Sequence, residues 1–425
     1  MAPRMTSITP STTTLGLAAE HFVAAALYLL AGAVGLVWIA PELAMGTFAA
    51  PRVAGVTHLF TLGWLTTTIF GALCQLLPVA LGAPIRSTRV AHVAFWTFAP
   101  GAGLFAASIA FSQTMLHHVG IALVSTGVVL AVGNIAATLP KAKSRDVTWA
   151  AIAVAITFLA STLVLGVLLL HNLHTGFIAA ARLTMLAAHL HVAIVGWALV
   201  MMVGVSHRLL PMFLLAHGAD TRWSLRSLTL LSAGVLALVV GVLTRHPASA
   251  WLGVVLLEGG VGCFLWQAYC FHRARVRKKI DIGMIFALTA LVFLAASAAM
   301  GPFVLADHAR DPRLATAYVA VGLLGGIVMF VVGFFYKIVP LLVWTARYRQ
   351  RMGKEAGALP TVADMYSARI AQLQLGAMTA GVVLLAAGIL TGAPHVTRCG
   401  AVLFLVGVLL FTSQLVRISF GRHSS

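Results

Sequence analysis

Long runs of apolar residues, separated by short polar segments, recur from one end of the chain to the other. Each run has about the 20 residues that an α-helix needs to cross a hydrocarbon core of about 30 Å. Inside a bilayer, such a helix satisfies its own backbone hydrogen bonds. The pattern predicts twelve membrane helices, over residues 17–39, 53–80, 90–113, 118–139, 148–170, 181–214, 227–244, 249–271, 281–304, 314–344, 366–391 and 395–418.

The composition indicates the same class of protein. Of the 425 residues, 60% are hydrophobic and 9% are charged, and the mean hydropathy is +0.99. A soluble domain carries charge on about a quarter of its residues. The chain is therefore not a soluble globular protein. We expect an all-α integral membrane protein that forms one polytopic domain over residues 1–425, with the lipid bilayer as its surroundings.

The formal net charge of +18 raises the question of a nucleic-acid partner. The Lys and Arg residues, however, stand in short segments between apolar runs and are not interleaved with aromatic residues, so we expect no nucleic-acid binding. Lys and Arg accumulate in the cytoplasmic loops of membrane proteins. With the N-terminus inside, 21 basic residues fall on inner segments and 6 on outer segments. This bias predicts that both termini are cytoplasmic.

An internal repeat relates helix 2 to helix 6 at one constant spacing along the chain. The matched positions are His58 and His191, Gly63 and Gly196, Trp64 and Trp197, Gly71 and Gly204, and Pro78 and Pro211. Helix 10 repeats the pattern more weakly and at a slightly shorter spacing, with Gly325, Gly333 and Pro340; Ala320 stands in the place of His191. Internal repeats are common in membrane proteins. We predict three copies of a four-helix unit, over about 17–139, 148–271 and 281–418.

Five of the sixteen histidines form the candidate site. His58, His189 and His191 lie inside predicted helices, where ionisable side chains cost free energy and usually mark function. Neutral imidazole is a common ligand of heme iron and copper. Residues i and i+2 of a helix point about 200° apart, so His189 and His191 serve different sites. His117 and His118, at the outer mouth of helix 3, are placed to reach one metal if the chain turns there.

These residues resemble the heme–copper oxidase superfamily. The closest branch is that of C-type terminal oxidases and bacterial nitric-oxide reductases. That family places one histidine on a helix, a His-His pair at the end of the next helix and a His-x-His on a later helix. The chain has His58, then His117-His118, then His189-Leu190-His191, and the resemblance covers roughly residues 51–215. In size, helix number and His-x-His helices, the chain is also similar to the NnrS-type nitric-oxide-response membrane proteins.

The resemblance implies a role for each histidine. His58, His117 and His118 would hold copper or a non-heme iron. His189 would be the axial ligand of a high-spin heme b, and His191 one ligand of a low-spin heme whose second ligand is missing at Ala320. A rival assignment pairs His58 with His191 as the two ligands of one b-type heme.

The chain also departs from the family pattern. It has no tyrosine near the predicted copper ligands and no acidic residue between Glu42 and Asp146. Efficient reduction of oxygen is therefore not expected. Glu258 is the acid deepest within a predicted helix, and its ordinary role would be a polar contact with Gln267 or with a neighbouring helix.

Three functions remain open from the sequence. The first is a heme-containing redox protein, of the oxidoreductase type, that acts on nitric oxide or oxygen. The second is a non-catalytic heme or copper binder, such as a sensor, an assembly factor or an electron-transfer subunit. The third is a secondary transporter. For the first two we expect a diatomic gas and an electron-donor subunit or cytochrome as partners, and a bacterial inner membrane as the location.

Overall fold

A computed structural model describes residues 12–176, 182–216, 220–276, 278–307, 310–349 and 359–421. Within these residues, twelve helices are long and apolar enough to cross a membrane, and no strand is formed. This confirms the predicted all-α architecture with twelve spans. The helices are α1 (Thr12–Trp38), α2 (Pro51–Leu81), α3 (Thr88–Ala110), α4 (Thr114–Thr138), α5 (Val147–Thr175), α6 (Arg182–Leu214), α7 (Arg222–Leu243), α8 (Pro247–Arg273), α9 (Ile282–Ala306), α10 (Pro312–Tyr348), α11 (Ala368–Thr391) and α12 (Pro394–Phe420).

Local capping residues determine where several helices begin and end. The Ser87 side chain accepts a hydrogen bond from the backbone N–H of Val90 at the start of α3. The Asp146 side chain accepts hydrogen bonds from two backbone N–H groups at the start of α5. Gly82, with a φ of 63°, ends α2 in the left-handed conformation that glycine adopts at little cost. Short polar residues thus satisfy helix ends that would otherwise expose unpaired backbone groups.

The break between α3 and α4 lies earlier than the sequence predicted. α3 ends at Ala110, and Ser112 has a φ of 54°, which interrupts the helix. α4 then begins at Thr114, before both members of the His-His pair. His117 and His118 therefore lie in the first turns of α4 and not at the mouth of α3. Hydropathy cannot locate such a break, because one residue of unusual backbone conformation leaves the mean apolarity unchanged.

Three π-helical segments interrupt the α-helical hydrogen bonding of α2, α6 and α10. They cover Leu59–Thr66, Val192–Leu199 and Val321–Val328. Each begins directly after a matched position of the sequence repeat, namely His58, His191 and Ala320. In the first segment the Thr66 hydroxyl donates to the carbonyl oxygen of Thr61, five residues earlier. Such wide turns are rare and are frequent at functional sites.

The chain divides into two compact units. The first comprises Met1–Tyr28 and His58–Arg208, and the second comprises Leu29–Thr57 and Leu209–Ser425. In the first unit, α3 and α4 pack closely because Gly101 and Gly127 present no side chain to the opposite helix. Small residues at helix contacts allow such close approach in membranes.

The hairpins of the second unit, α7 with α8 and α11 with α12, use glycine in the same way, at Gly241 and Gly388. A buried amide also recurs in each hairpin. The Asn134 side chain donates to the carbonyl oxygen of Ser87, and at the equivalent position of the second repeat the Gln267 side chain donates to the carbonyl oxygen of Asp220. Gln414 accepts from the backbone N–H of Ser367 in the last hairpin. Similar amide contacts therefore occur in three hairpins, and the repeat with its bounds stays a prediction.

Candidate functional site

His58 and His189 face each other in the first unit. His58 is the last residue of α2 before the π-helical segment, and His189 lies three residues before the corresponding segment of α6. Their ring centroids are 6.5 Å apart, with an angle of 35° between the ring planes. Both side chains are half-buried. The structure therefore brings together one predicted ligand from each of the first two repeats.

The second histidine of the His-x-His motif has a different contact. The Nδ1 of His191 lies 2.8 Å from the carbonyl oxygen of Ala187, one turn earlier on α6. Because a carbonyl oxygen only accepts, Nδ1 carries the proton in this hydrogen bond and Nε2 is left as an acceptor or ligand atom. The opposed directions predicted for positions i and i+2 are consistent with these separate surroundings.

The imidazole of His189 is enclosed by α5. A methyl group at Gly166 would lie 3.2 Å from its Cε1, so this glycine leaves the room that the ring occupies. The backbone of Thr162, one turn before Gly166, also interacts with the ring. The Nδ1 of His189 is buried and has no hydrogen-bond partner among the described residues. A buried nitrogen without a partner costs free energy unless something else binds there.

Phe105 of α3 contacts two of the predicted metal ligands. Its ring centroid is 5.3 Å from that of His58 and 6.1 Å from that of His117, with edge-to-face geometry in both pairs. His117 is half-buried, whereas His118 is exposed and its Nδ1 lies 3.0 Å from the carbonyl oxygen of Thr114. Within the described part of the chain, no group of three or more His, Cys, Asp or Glu side chains is arranged to hold a metal ion.

A polar contact between the two π-helical segments holds α2 and α6 next to this site. The indole N–H of Trp197 donates to the hydroxyl of Thr66 over 3.0 Å, and both side chains are buried. Phe70 packs against the Trp197 ring at a centroid distance of 6.0 Å. Trp197 belongs to the sequence repeat, but the repeat did not indicate its partner.

His21 is a buried histidine that sequence reasoning missed. It lies on α1 with 3% of its surface exposed, and its Nδ1 is 2.7 Å from the carbonyl oxygen of Leu17. Its ring is 4.5 Å from that of Phe95, and it lines a small cavity together with Cys74. In the sequence, the feature that could have indicated a buried His21 is its position within the apolar run of helix 1, next to Glu20. That Glu20 carboxylate lies 3.4 Å from Nδ1 of His92 on α3.

No family model and no curated protein sequence matches this chain.

Proposed function

We propose that the protein is a heme-binding membrane redox protein whose iron is coordinated by His58 and His189. The spacing of the two rings carries this proposal. Metal–nitrogen bonds of about 2.0–2.1 Å on both sides of one ion place the centroids of two facing imidazoles roughly 6 Å apart. The 6.5 Å between His58 and His189 is close to that value.

The surroundings of the pair also fit an axial ligand set. Imidazole is neutral when it binds a metal, so the two ligands add no charge to a membrane interior. The buried Nδ1 of His189, which has no hydrogen-bond partner among the described residues, would gain one by binding the metal. The Phe105 ring next to His58 adds an apolar wall. Apolar walls exclude water and influence the redox potential of a bound heme.

The 6.5 Å spacing between the His58 and His189 rings favours His189 over His191 as the partner of His58. A single centre built from His58, His117 and His118 has less support, because these three side chains are not arranged as a metal-binding group in the described part of the chain. When bound, the heme would supply one-electron chemistry. The protein residues hold it, orient it and keep water away from it.

Nitric oxide or oxygen is the substrate class that agrees with this site. Small neutral gases enter a membrane protein through its apolar interior. If His58 and His189 both held the iron, a gas would compete with one of the two imidazoles for it. We expect His58 to be the exchangeable ligand, because His189 is packed against Gly166 and Thr162 of α5. The predicted behaviour is slow carbon monoxide binding in the wild type.

A single copper ion is the second candidate for the same pair. The observation that favours it is again the gap, which accommodates one ion between two imidazole nitrogens. Copper held in this way would make the protein a copper-binding redox or carrier protein.

The experiment is to purify the full chain in mild detergent, expressed with ample heme, and to record reduced-minus-oxidised spectra with and without carbon monoxide. Heme and copper are quantified per chain in the same samples. The variants are His58→Ala, His189→Ala and His191→Ala, and His171→Ala is the matched control because that side chain is exposed. Elution as a single symmetrical peak shows that each variant is folded.

We expect a b-type heme spectrum that is lost or changed in the His58 and His189 variants and kept in the other two. His58→Ala should bind carbon monoxide faster than the wild type, because it would remove an imidazole that competes with the gas for the iron. Loss of the signal in His191→Ala with retention in His189→Ala would overturn the assignment in favour of the rival pair. Copper without heme, lost in both His58 and His189 variants, would establish the second candidate. Folded wild type with neither group would refute both.

A further inference from the structure

A cluster of polar groups in the second unit includes the position of the third repeat that corresponds to His189 in the second repeat. Tyr318 of α10 stands three residues before the π-helical segment of its helix, as His189 does on α6. The preceding helices also correspond. Gly301 follows Asp281, the N-cap residue of α9, by the same number of residues as Gly166 follows Asp146, the N-cap residue of α5. Gly166 faces the His189 ring, and Gly301 faces the Tyr318 ring, whose Cε2 would lie 4.0 Å from a methyl group at that glycine.

Glu258 of α8 contributes a carboxyl group to the same cluster. A methyl group at Gly301 would lie 3.2 Å from the Glu258 Oε1, so the carboxyl and the Tyr318 ring adjoin the same point of α9. The carboxylate and the phenol also interact electrostatically. Glu258 lies near the middle of α8, far from either end of the span. Gln267, its expected partner, instead binds backbone groups of Ser224 and Asp220.

Glu258 has no basic partner in the described part of the chain. The ion pairs found there involve other carboxylates, and no hydrogen bond is formed by the Glu258 side chain. The guanidinium of Arg226 on α7 lies over the ring of Trp223, 4.5 Å from its centroid. An ionised carboxylate without a partner is very costly in a medium of low polarity, whereas the neutral acid avoids most of that cost.

Neighbouring helices place several uncharged groups near this carboxyl. α9 contributes Gly301, and α10 contributes the Tyr318 phenol. On α7, Leu230 packs beside Gly259, the residue that follows Glu258. On α8 itself, Cys263 is the nearest titratable side chain along the chain. Arg226 of α7 acts electrostatically on Cys263, but within the described residues no basic side chain forms an ion pair with the Glu258 carboxyl.

We infer that Glu258, with Tyr318 beside it, is a proton-binding site inside the membrane. The carboxyl binds a proton as the neutral acid and releases it when a conformational change or a rise in pH favours the ion. Tyr318 supplies a hydroxyl dipole next to the carboxyl, and Gly301 has no side chain that would push either group away from α9. The site belongs to the second unit and does not depend on the heme proposed for His58 and His189.

Infrared difference spectroscopy tests this inference directly. A protonated carboxyl gives a C=O stretching band above the amide bands, and the band moves when the proton is exchanged for deuterium. The variants of the purified full chain are Glu258→Gln and Tyr318→Phe. Glu20→Gln is the matched control, because Glu20 lies near the start of α1 with 38% of its side chain exposed.

At neutral pH we expect the acid band in the wild type and in Glu20→Gln, and its loss in Glu258→Gln. Tyr318→Phe should keep the band and move its frequency, because the hydroxyl dipole next to the carboxyl is removed. Absence of the band in folded wild type, or its persistence in Glu258→Gln, would refute the inference. If the band keeps its frequency in Tyr318→Phe, the Tyr318 hydroxyl does not interact with the carboxyl. The same measurement on His189→Ala should show the band, so that failure of the heme proposal does not affect it.

Discussion

The indole N–H of Trp197 donates a hydrogen bond to the hydroxyl of Thr66, and this bond joins the π-helical segments of α6 and α2. Trp64 and Trp197 are equivalent positions in the first two repeats, but the bond is made by Trp197. It lies on the same two helices as His58 and His189. The contact therefore stabilises the arrangement that brings these two imidazoles together.

Thr66→Val should lower the thermal unfolding midpoint, because it leaves the Trp197 N–H buried without a partner. The cost of such a group is about 1–3 kcal/mol. The measurement is thermal unfolding followed by intrinsic fluorescence in detergent. Thr157→Val is the control, since its exposed hydroxyl bonds only to the carbonyl of Ala153 on its own helix. Equal midpoints for the two variants would show that the Thr66 bond contributes nothing specific.

Two ion pairs in corresponding places should differ in strength. Asp146 at the start of α5 pairs with Arg208, and Asp281 at the start of α9 pairs with Lys337. The Lys337 side chain is 14% exposed and that of Arg208 is 40% exposed. Removal of one partner costs about 3–5 kcal/mol for a fully buried pair, and an exposed pair contributes at most about 1 kcal/mol, so the cost rises as the pair is more buried. Lys337→Met should therefore lower the unfolding midpoint more than Arg208→Met does.

The predicted order of the two midpoints is tested by melting curves of Lys337→Met and Arg208→Met in the same detergent. The first repeat has the neutral Gln75 at the equivalent position, so a neutral side chain is compatible with the fold. Lys337→Gln and Arg208→Gln serve as the conservative variants. A larger loss for Arg208 than for Lys337 would contradict the prediction.

Glycine at the contact between the first two helices of a repeat should be required. A methyl group at Gly196 would lie 2.6 Å from the Cγ of Phe158, whereas one at Gly133 would meet nothing within 4 Å. Gly196→Ala should cost about 1–3 kcal/mol because the close packing must be forced apart. Gly133→Ala should be neutral, or stabilising by about 0.5–1 kcal/mol, because alanine is the better helix former. Unfolding midpoints of the two variants measure both effects, and a destabilised Gly133→Ala would contradict this account.

Asp311 should make stability depend on pH. It lies before α10, where its side chain accepts hydrogen bonds from the side chain and the backbone N–H of Arg313, and these bonds lower the pKa of its carboxyl. A lowered pKa means that the folded state favours the ionised form. The resulting stabilisation is present above the pKa of the unfolded chain and is lost as pH falls through the lower pKa of the folded chain.

The measurement compares the melting of wild type and Asp311→Asn across this pH range. We expect a small difference at neutral pH that disappears in acid. A difference that stays constant as the carboxyl becomes protonated would show that the ionised form has no special role.

The sequence by itself determined the twelve helices and the repeat. Apolar runs of sufficient length have only one stable backbone conformation across a bilayer unless they close a barrel, so hydropathy predicts them well. The repeat was visible because the glycines and prolines of α2, α6 and α10 recur at fixed offsets. The glycines of this repeat lie at close helix contacts that exclude a side chain, as Gly63 does against Tyr28 and Gly196 against Phe158.

Only the tertiary structure decided which side chains meet. The motif of His189 and His191 places two imidazoles on opposite sides of α6, and no pattern along the chain indicates which side faces His58. That choice depends on how α2 and α6 rotate as they pack, which the Trp197 bond and the π-helical turns influence. The break at Ser112 likewise depends on one backbone conformation. Packing between distant segments fixes both features, and a linear pattern does not contain that information.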